Sequence, residues 1–229
     1  MLSSPWLKKA GAVVAGAILA FPRLVGAHGF LARPAARNVQ HNSDWCPHCL
    51  SAGGTEAVWR KTKGGGKPPR FGVCGDPADG PRHHEVGGKY ATPPRLAGTY
   101  RSGGKMHVRV TLTANHQGRW SLRLCPLPSP SPSSERKHLS QTCLNQHVLR
   151  RADGSGPYTY VRSDDSDFAV TYRLPRVRCR RCVLQWLYET GNSCAPRGIP
   201  RAYAAASVGT CGPRYPGELF VNCADIALR

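Results

Sequence analysis

Five stretches of the chain place apolar residues at every second position: MHVRVTLTAN (106–115), RWSLRLCPL (119–127), SDFAVTYRLP (166–175), RCVLQWLYET (181–190) and ELFVNCADIAL (218–228). A period of two sends alternate side chains to opposite faces of an extended strand, so each stretch reads as a strand with one buried face. Several are rich in Val, Thr, Tyr or Trp, which suit a pleated, half-buried surface. Antiparallel strands of this kind bury one side of a sheet and must cover it with another layer. The pattern predicts an all-β fold, an immunoglobulin/fibronectin-III-like β-sandwich with long loops. No repeat, heptad pattern or long amphipathic helix is present. Residues 28–74 read as loop-rich, and LPSPSPSSERKHLS (127–140) reads as an exposed loop inside the domain, since strand-like segments continue beyond it.

The first 27 residues change the picture. Lys8 and Lys9 precede an apolar run from Ala10 to Phe21, and Val25-Gly26-Ala27 supplies small residues before a cut. That run is shorter than the roughly 20 residues a membrane span needs. A cleaved signal peptide is therefore expected over 1–27, leaving 28–229 as a single domain with no appended binding module. All ten cysteines lie in that mature part, and an even count behind a signal peptide implies disulfides in an oxidising compartment. Cys46–Cys49 and Cys179–Cys182 are C-x-x-C pairs, but a gap of about 130 residues is far beyond a zinc ribbon.

Charge narrows the partners. The formal charge of +19 becomes +16 when Lys8, Lys9 and Arg23 leave. A basic secreted chain suits anionic or mixed wall polymers better than nucleic acid. Hydrolase chemistry has little support: thirteen acids form no convincing glycosidase pair, and no nucleophile elbow or zinc-protease motif occurs.

VGAHGF (25–30) carries the chemistry. Cleavage after Ala27 gives His28 a free α-amine beside its imidazole, with ordinary pKa values of about 7.7–8.0 and about 6.5. Both can be neutral nitrogen donors near neutral pH, and together they can chelate one ion. A third nitrogen opposite them completes the tetragonal set that Cu(II) prefers. His116, in TLTANHQGRW, is the partner candidate, because a strand end supports a ligand rigidly. Taken singly, His28 also reads as a frayed terminus and His116 as a surface or capping histidine. His48, His83 and His84 read as exposed loop histidines, with a second metal site at His83-His84 the weaker reading.

HGFLARPAARN, WCPHC, FGVCGDP, VGGKYATPP, LTANH, CVLQWLYETGN and FVNCADIAL follow one another in order. With them the chain resembles lytic polysaccharide monooxygenases, nearest to auxiliary activity family fifteen and sharing features with the bacterial-type chitin- and cellulose-active group. The resemblance spans nearly all of 28–229, weakening at the Pro/Ser loop and at 196–210. It implies one copper per chain, held by the His28 amine and Nδ1 and by the His116 ring. It implies an axial aromatic at Phe220, where Tyr is more familiar in family fifteen; the alternation in ELFVNC equally suits a core aromatic. Ala114 would pack beside the copper. Gln185 or Glu56 would hydrogen-bond an oxygen species, and Trp186 and Tyr188 would pack behind the brace. Trp45 and Trp59 would offer a flat surface to the substrate, or pack beside disulfides. The implied activity is extracellular oxidation of a β-1,4-linked polysaccharide at C1 or C4, with chitin expected first, cellulose second and an anionic wall polymer third. An external electron donor and hydrogen peroxide or dioxygen would be required. No nucleic acid or membrane partner is expected, and the protein is expected to be a monomer. A non-catalytic copper-binding protein and a carbohydrate-binding wall protein are the alternatives.

Overall fold

The computed structural model describes residues 28–40, 49–55, 57–58, 71–77, 79–212 and 217–229. Nine strands, two short α-helices and a 3-10 turn at Arg201–Tyr203 follow along the described chain: β1 (His28–Arg33), β2 (Leu96–Tyr100), β3 (Lys105–Ala114), β4 (Gly118–Pro126), α1 (Pro132–His138), α2 (Gln141–Gln146), β5 (Arg150–Arg151), β6 (Tyr158–Val161), β7 (Asp167–Arg173), β8 (Cys179–Glu189) and β9 (Leu219–Leu228). They form two sheets, one in the order β1-β3-β7-β5 and one in the order β2-β9-β8-β4-β6. The pairs are antiparallel except β2 with β9. The all-β sandwich is therefore the observed architecture.

β3 shows why the period of two suffices. Met106, Val108, Val110 and Leu112 are buried, while Lys105, His107, Arg109 and Thr113 face outward. The buried set meets Trp120, Leu122 and Leu124 of β4 and Trp186 of β8 in one core. Each such side chain contributes about 1.5–3 kcal/mol by leaving water. β8 and β9 depart from alternation and are buried almost throughout. Their outer face is covered by a satellite cluster in which Cys74, Cys125, Leu144, Val183 and Cys223 pack together. Disulfides join Cys74–Cys223, Cys125–Cys143, Cys179–Cys182 and Cys194–Cys211. The 179–182 pair is thus closed to metal.

The expectation of an exposed loop over 127–140 is corrected. Ser131 caps α1 by accepting from the Ser134 N–H, and Pro132 stands in the first turn, where its missing donor costs nothing. α1 delivers Glu135 to a fully buried ionic cluster. Arg37 grips Asp225 through Nε and Nη2 at 2.8 Å each, and Glu135 through Nη1 at 2.9 Å and Nη2 at 3.1 Å. Arg181 adds Nε to Asp225 at 2.9 Å and also pairs with Glu135. Two cations and two anions cancel, which is what permits charges to stay buried. Arg37 also donates to the His84 carbonyl at 2.7 Å. His84 is itself buried, with Nδ1 2.8 Å from Asp76 and its ring 4.8 Å from that of Tyr90. The reading of His84 as an exposed loop histidine is thereby corrected, and its Nδ1 is already engaged by Asp76.

Candidate metal centre

β1 begins at His28, and its register sets His28 opposite Ala114 on β3. His116 follows two residues later, so the pairing brings both histidines to one rim of the sandwich. Gly29 makes this approach feasible: a Cβ there would lie 2.5 Å from Leu112 Cδ2 and 3.3 Å from Trp186 Cη2. β1 is further fixed across the interior, where the Leu31 N–H donates to buried Asn222 Oδ1 at 2.9 Å.

The turn carrying His116 is held from several sides. Asn115 Oδ1 accepts from the Gln117 N–H at 2.6 Å, and Asn115 Nδ2 reaches the Arg162 and Asp165 carbonyls at 2.5 Å. Such an Asx turn lets Gln117 adopt φ +53°. Gly118 follows at φ +104°, where any Cβ would collide with the Glu189 carbonyl. Buried Tyr188 donates its hydroxyl to the Gln117 carbonyl at 2.5 Å, and burial pushes its phenol upward, so it remains a donor. The Gly191 N–H closes on the His116 carbonyl at 2.9 Å.

The ring of His116 is aimed by two residues that sequence reasoning missed. Its Nδ1 lies 2.5 Å from Asn192 Nδ2 and 3.3 Å from Glu218 Oε2. Asn192 Oδ1 takes the Thr190 hydroxyl at 2.7 Å and the Ser193 N–H at 2.9 Å, which turns its nitrogen toward the ring. Both neighbours occupy the Nδ1 side and leave Nε2 for a ligand. With the Asn192 amide nitrogen, a donor, facing it, Nδ1 is an acceptor in this arrangement; a metal at Nε2 would place the ring proton on Nδ1, with the Glu218 carboxylate as its acceptor and the Asn192 amide turned aside. ETGNS and ELF held the only sequence signal, a polar residue at the end of each of two paired strands.

Phe220 is buried, its ring centroid 6.2 Å from that of His28 and 6.1 Å from that of Tyr188. Trp186 lies behind, 5.8 Å from Tyr188. Ala114 is half-buried opposite His28. Gln185 is a correction. It lies on the other face of β8 from Trp186 and Tyr188, and donates Nε2 to the Val73 carbonyl at 2.7 Å while pairing with Gln141 at 3.0–3.1 Å. It cannot also serve an oxygen species at the histidine rim. Glu56, Trp45, Trp59 and His48 lie outside the described residues. The weakly matching stretch 196–210 also reaches this rim: Gln117 Nε2 donates to the Ala202 carbonyl at 3.4 Å, and Tyr203 stacks on Tyr160 at 4.8 Å.

No group of three or more His, Cys, Asp or Glu among the described residues is arranged to hold a metal. The rim offers the imidazole nitrogens of His28 and His116 with the apolar Phe220 ring beside His28, a chemistry that fits copper better than hard cations that take oxygen.

The fold and this rim define a class, a β-sandwich with a histidine pair at one end of its strands. The chain belongs to the lytic polysaccharide monooxygenase family: the family model described as "lytic polysaccharide mono-oxygenase, cellulose-degrading" matches residues 28–226. A solved structure, the lytic polysaccharide monooxygenase AA15 from Thermobia domestica in the Cu(I) state, is 30% identical with a TM-score of 0.69. The match covers 88% of this chain and 98% of that one. No curated protein matches. The protein is a copper-dependent monooxygenase of polysaccharides, and copper is its cofactor. No helix among the described residues is long and apolar enough to cross a membrane.

Proposed function

We propose that the chain is secreted, loses residues 1–27, and oxidises a β-1,4-linked polysaccharide from a copper held by His28 and His116 in a single domain. The observation that carries this reading is the β1–β3 register, which sets His28 against Ala114 beside His116. The family match beginning on His28 supports the same cut. His28 would bind through its α-amine and Nδ1, and His116 through Nε2. Phe220 would lie beside the copper, offering no donor atom. When bound, copper supplies the one-electron chemistry that activates an oxygen co-substrate for attack at C1 or C4 of a sugar.

The chain's own residues prepare that site. Glu218 and Asn192 orient His116, Tyr188 and Asn115 fix its turn, and Gly29 admits the N-terminal strand. Phe220 and Trp186 keep water from the inner side. Tyr203 and Tyr160 would flank the sugar chain at the rim. Chitin stands ahead of cellulose in the sequence reading, whereas the family description names cellulose. Product analysis on the two polymers side by side decides between them.

The test is a copper titration of secreted protein with a sequenced N-terminus, followed by electron paramagnetic resonance. The expected result is one tightly bound Cu(II) per chain with a nitrogen-rich signal. His116→Ala should remove both tight copper and oxidised sugars while leaving polysaccharide binding largely intact. Full oxidative activity in that variant would sink the assignment.

A further inference from the structure

The outer face of the β1-β3-β7-β5 sheet carries an arrangement that copper chemistry does not use. Register sets Lys105 opposite Arg173, and Arg173 opposite Arg150. Two residues along, His107 faces Thr171, with Nδ1 and Oγ1 2.8 Å apart. Two residues further, Arg109 lies between Arg33 and Ala169. Lys105, Arg109, Arg173, Arg150 and Arg33 are all exposed. Among the described residues none of the five forms an ion pair. The Arg173 Nη2–H reaches only the Ala152 carbonyl, at 3.1 Å.

Like charges directly opposite one another destabilise a sheet. Here three stand in one cross-strand row and two in another. A conflict between local stability and sequence of this kind points to function. Two strand spacings make the first row about 10 Å wide, and four residues of β3 make the patch about 13 Å long. These three rows carry no Phe, Tyr or Trp to stack on bases and no apolar wedge for a bilayer. Five unpaired cations in that area exceed what a polymer with one carboxylate per sugar can match, whereas several sulfates per disaccharide can. Four of the five are arginines, whose forked donors suit sulfate oxygens.

We propose that this face docks a sulfated polysaccharide, anchoring the enzyme independently of its copper. The probe is a heparin column, with the mature copper-loaded protein eluted by salt. Lys105→Gln/Arg109→Gln/Arg173→Gln should elute at clearly lower salt than the parent. Its log–log salt dependence should flatten by about two, since each lost contact removes roughly 0.7–0.9 from the slope in polyelectrolyte binding. The matched control Arg136→Gln/Lys137→Gln/Arg197→Gln, equally exposed and equal in charge loss, should shift little. Equal shifts in both variants would mean net charge alone and overturn the proposal. Retention of the parent on alginate, which carries carboxylates without sulfate, up to the same salt would overturn the sulfate assignment. Single-stranded DNA displacing heparin at equal charge concentration would overturn the choice of a polysaccharide. Copper titration of the same variants reports on the histidine site separately.

Discussion

Glu218 is the residue on which the orientation of a metal-bound His116 would turn, because of the two residues beside Nδ1 it carries the acceptor while Asn192 presents a donor. Outer partners of metal-bound histidines typically account for 10–100-fold in affinity. Glu218→Ala should weaken copper by about that factor in a competition titration, and Glu218→Gln, which keeps an acceptor oxygen, should recover most of it. Both should melt near the parent temperature, since the Glu218 carbonyl that accepts from the Thr190 N–H at 3.1 Å is untouched. Phe220→Tyr tests the aromatic beside His28: a phenol there should alter the electron paramagnetic resonance parameters of the copper-loaded protein, while Phe220→Leu should leave the nitrogen pattern and cost stability. His28 stood out in the sequence because a ligand type and a processing signal coincide there, and His116 because it ends an alternating stretch; the β1–β3 register brings the two to one rim. Asn192 and Glu218 did not stand out, because their role depends on two strand ends meeting across 26 residues of chain. Gln185 misled for the opposite reason: alternation told that it faced away from Trp186, but not which face looked toward the histidines.

At the scale of elements, the five alternating stretches became β3, β4, β7, β8 and β9, with bounds shifted by one or two residues. Burial pattern sufficed there because each has a wet face or a long apolar run. β1, β2, β5 and β6 were not read as strands. HGFLAR and LAGTY are short and Gly-containing, and their pairing comes from neighbours and not from intrinsic preference. α1 was hidden by its Pro and Ser content, although Ser131-Pro132 is a helix start. Gly29 is the test at this scale. Gly29→Ala forces a methyl against Leu112 and Trp186, an overpacking that costs about 1–3 kcal/mol. For a chain of this size that lowers the thermal midpoint by roughly 2–4 °C per kcal/mol. Copper affinity should fall with it, because the strand that shifts is the one beginning at His28.

At the scale of the molecule, the buried Arg37–Asp225–Arg181–Glu135 cluster ties β1's continuation, α1, β8 and β9 together. Burial alone would raise the Asp225 carboxyl, but hydrogen bonds and charge from Arg37, then Arg181, hold it below the ordinary carboxylate range. A depressed carboxyl contributes stability above its unfolded pKa, about 3.9, and that contribution is lost as pH falls through the folded value. Melting temperature should therefore drop as pH falls below about 4, and Asp225→Asn should flatten that drop while lowering stability at neutral pH. Arg37→Met, which leaves two buried carboxylates sharing Arg181 alone, should cost about 3–5 kcal/mol in urea unfolding.

That β1 starts on a prospective ligand also sets a schedule for the enzyme. While residues 1–27 remain attached, the nitrogen of His28 is an amide, neither basic nor a good donor. On the proposed reading, the uncut precursor would be a safe form, unable to assemble an oxidising centre at His28. A peptidase that removed residues 1–27 would then arm it. A purification tag or a single surplus residue ahead of His28 would keep the safety catch on.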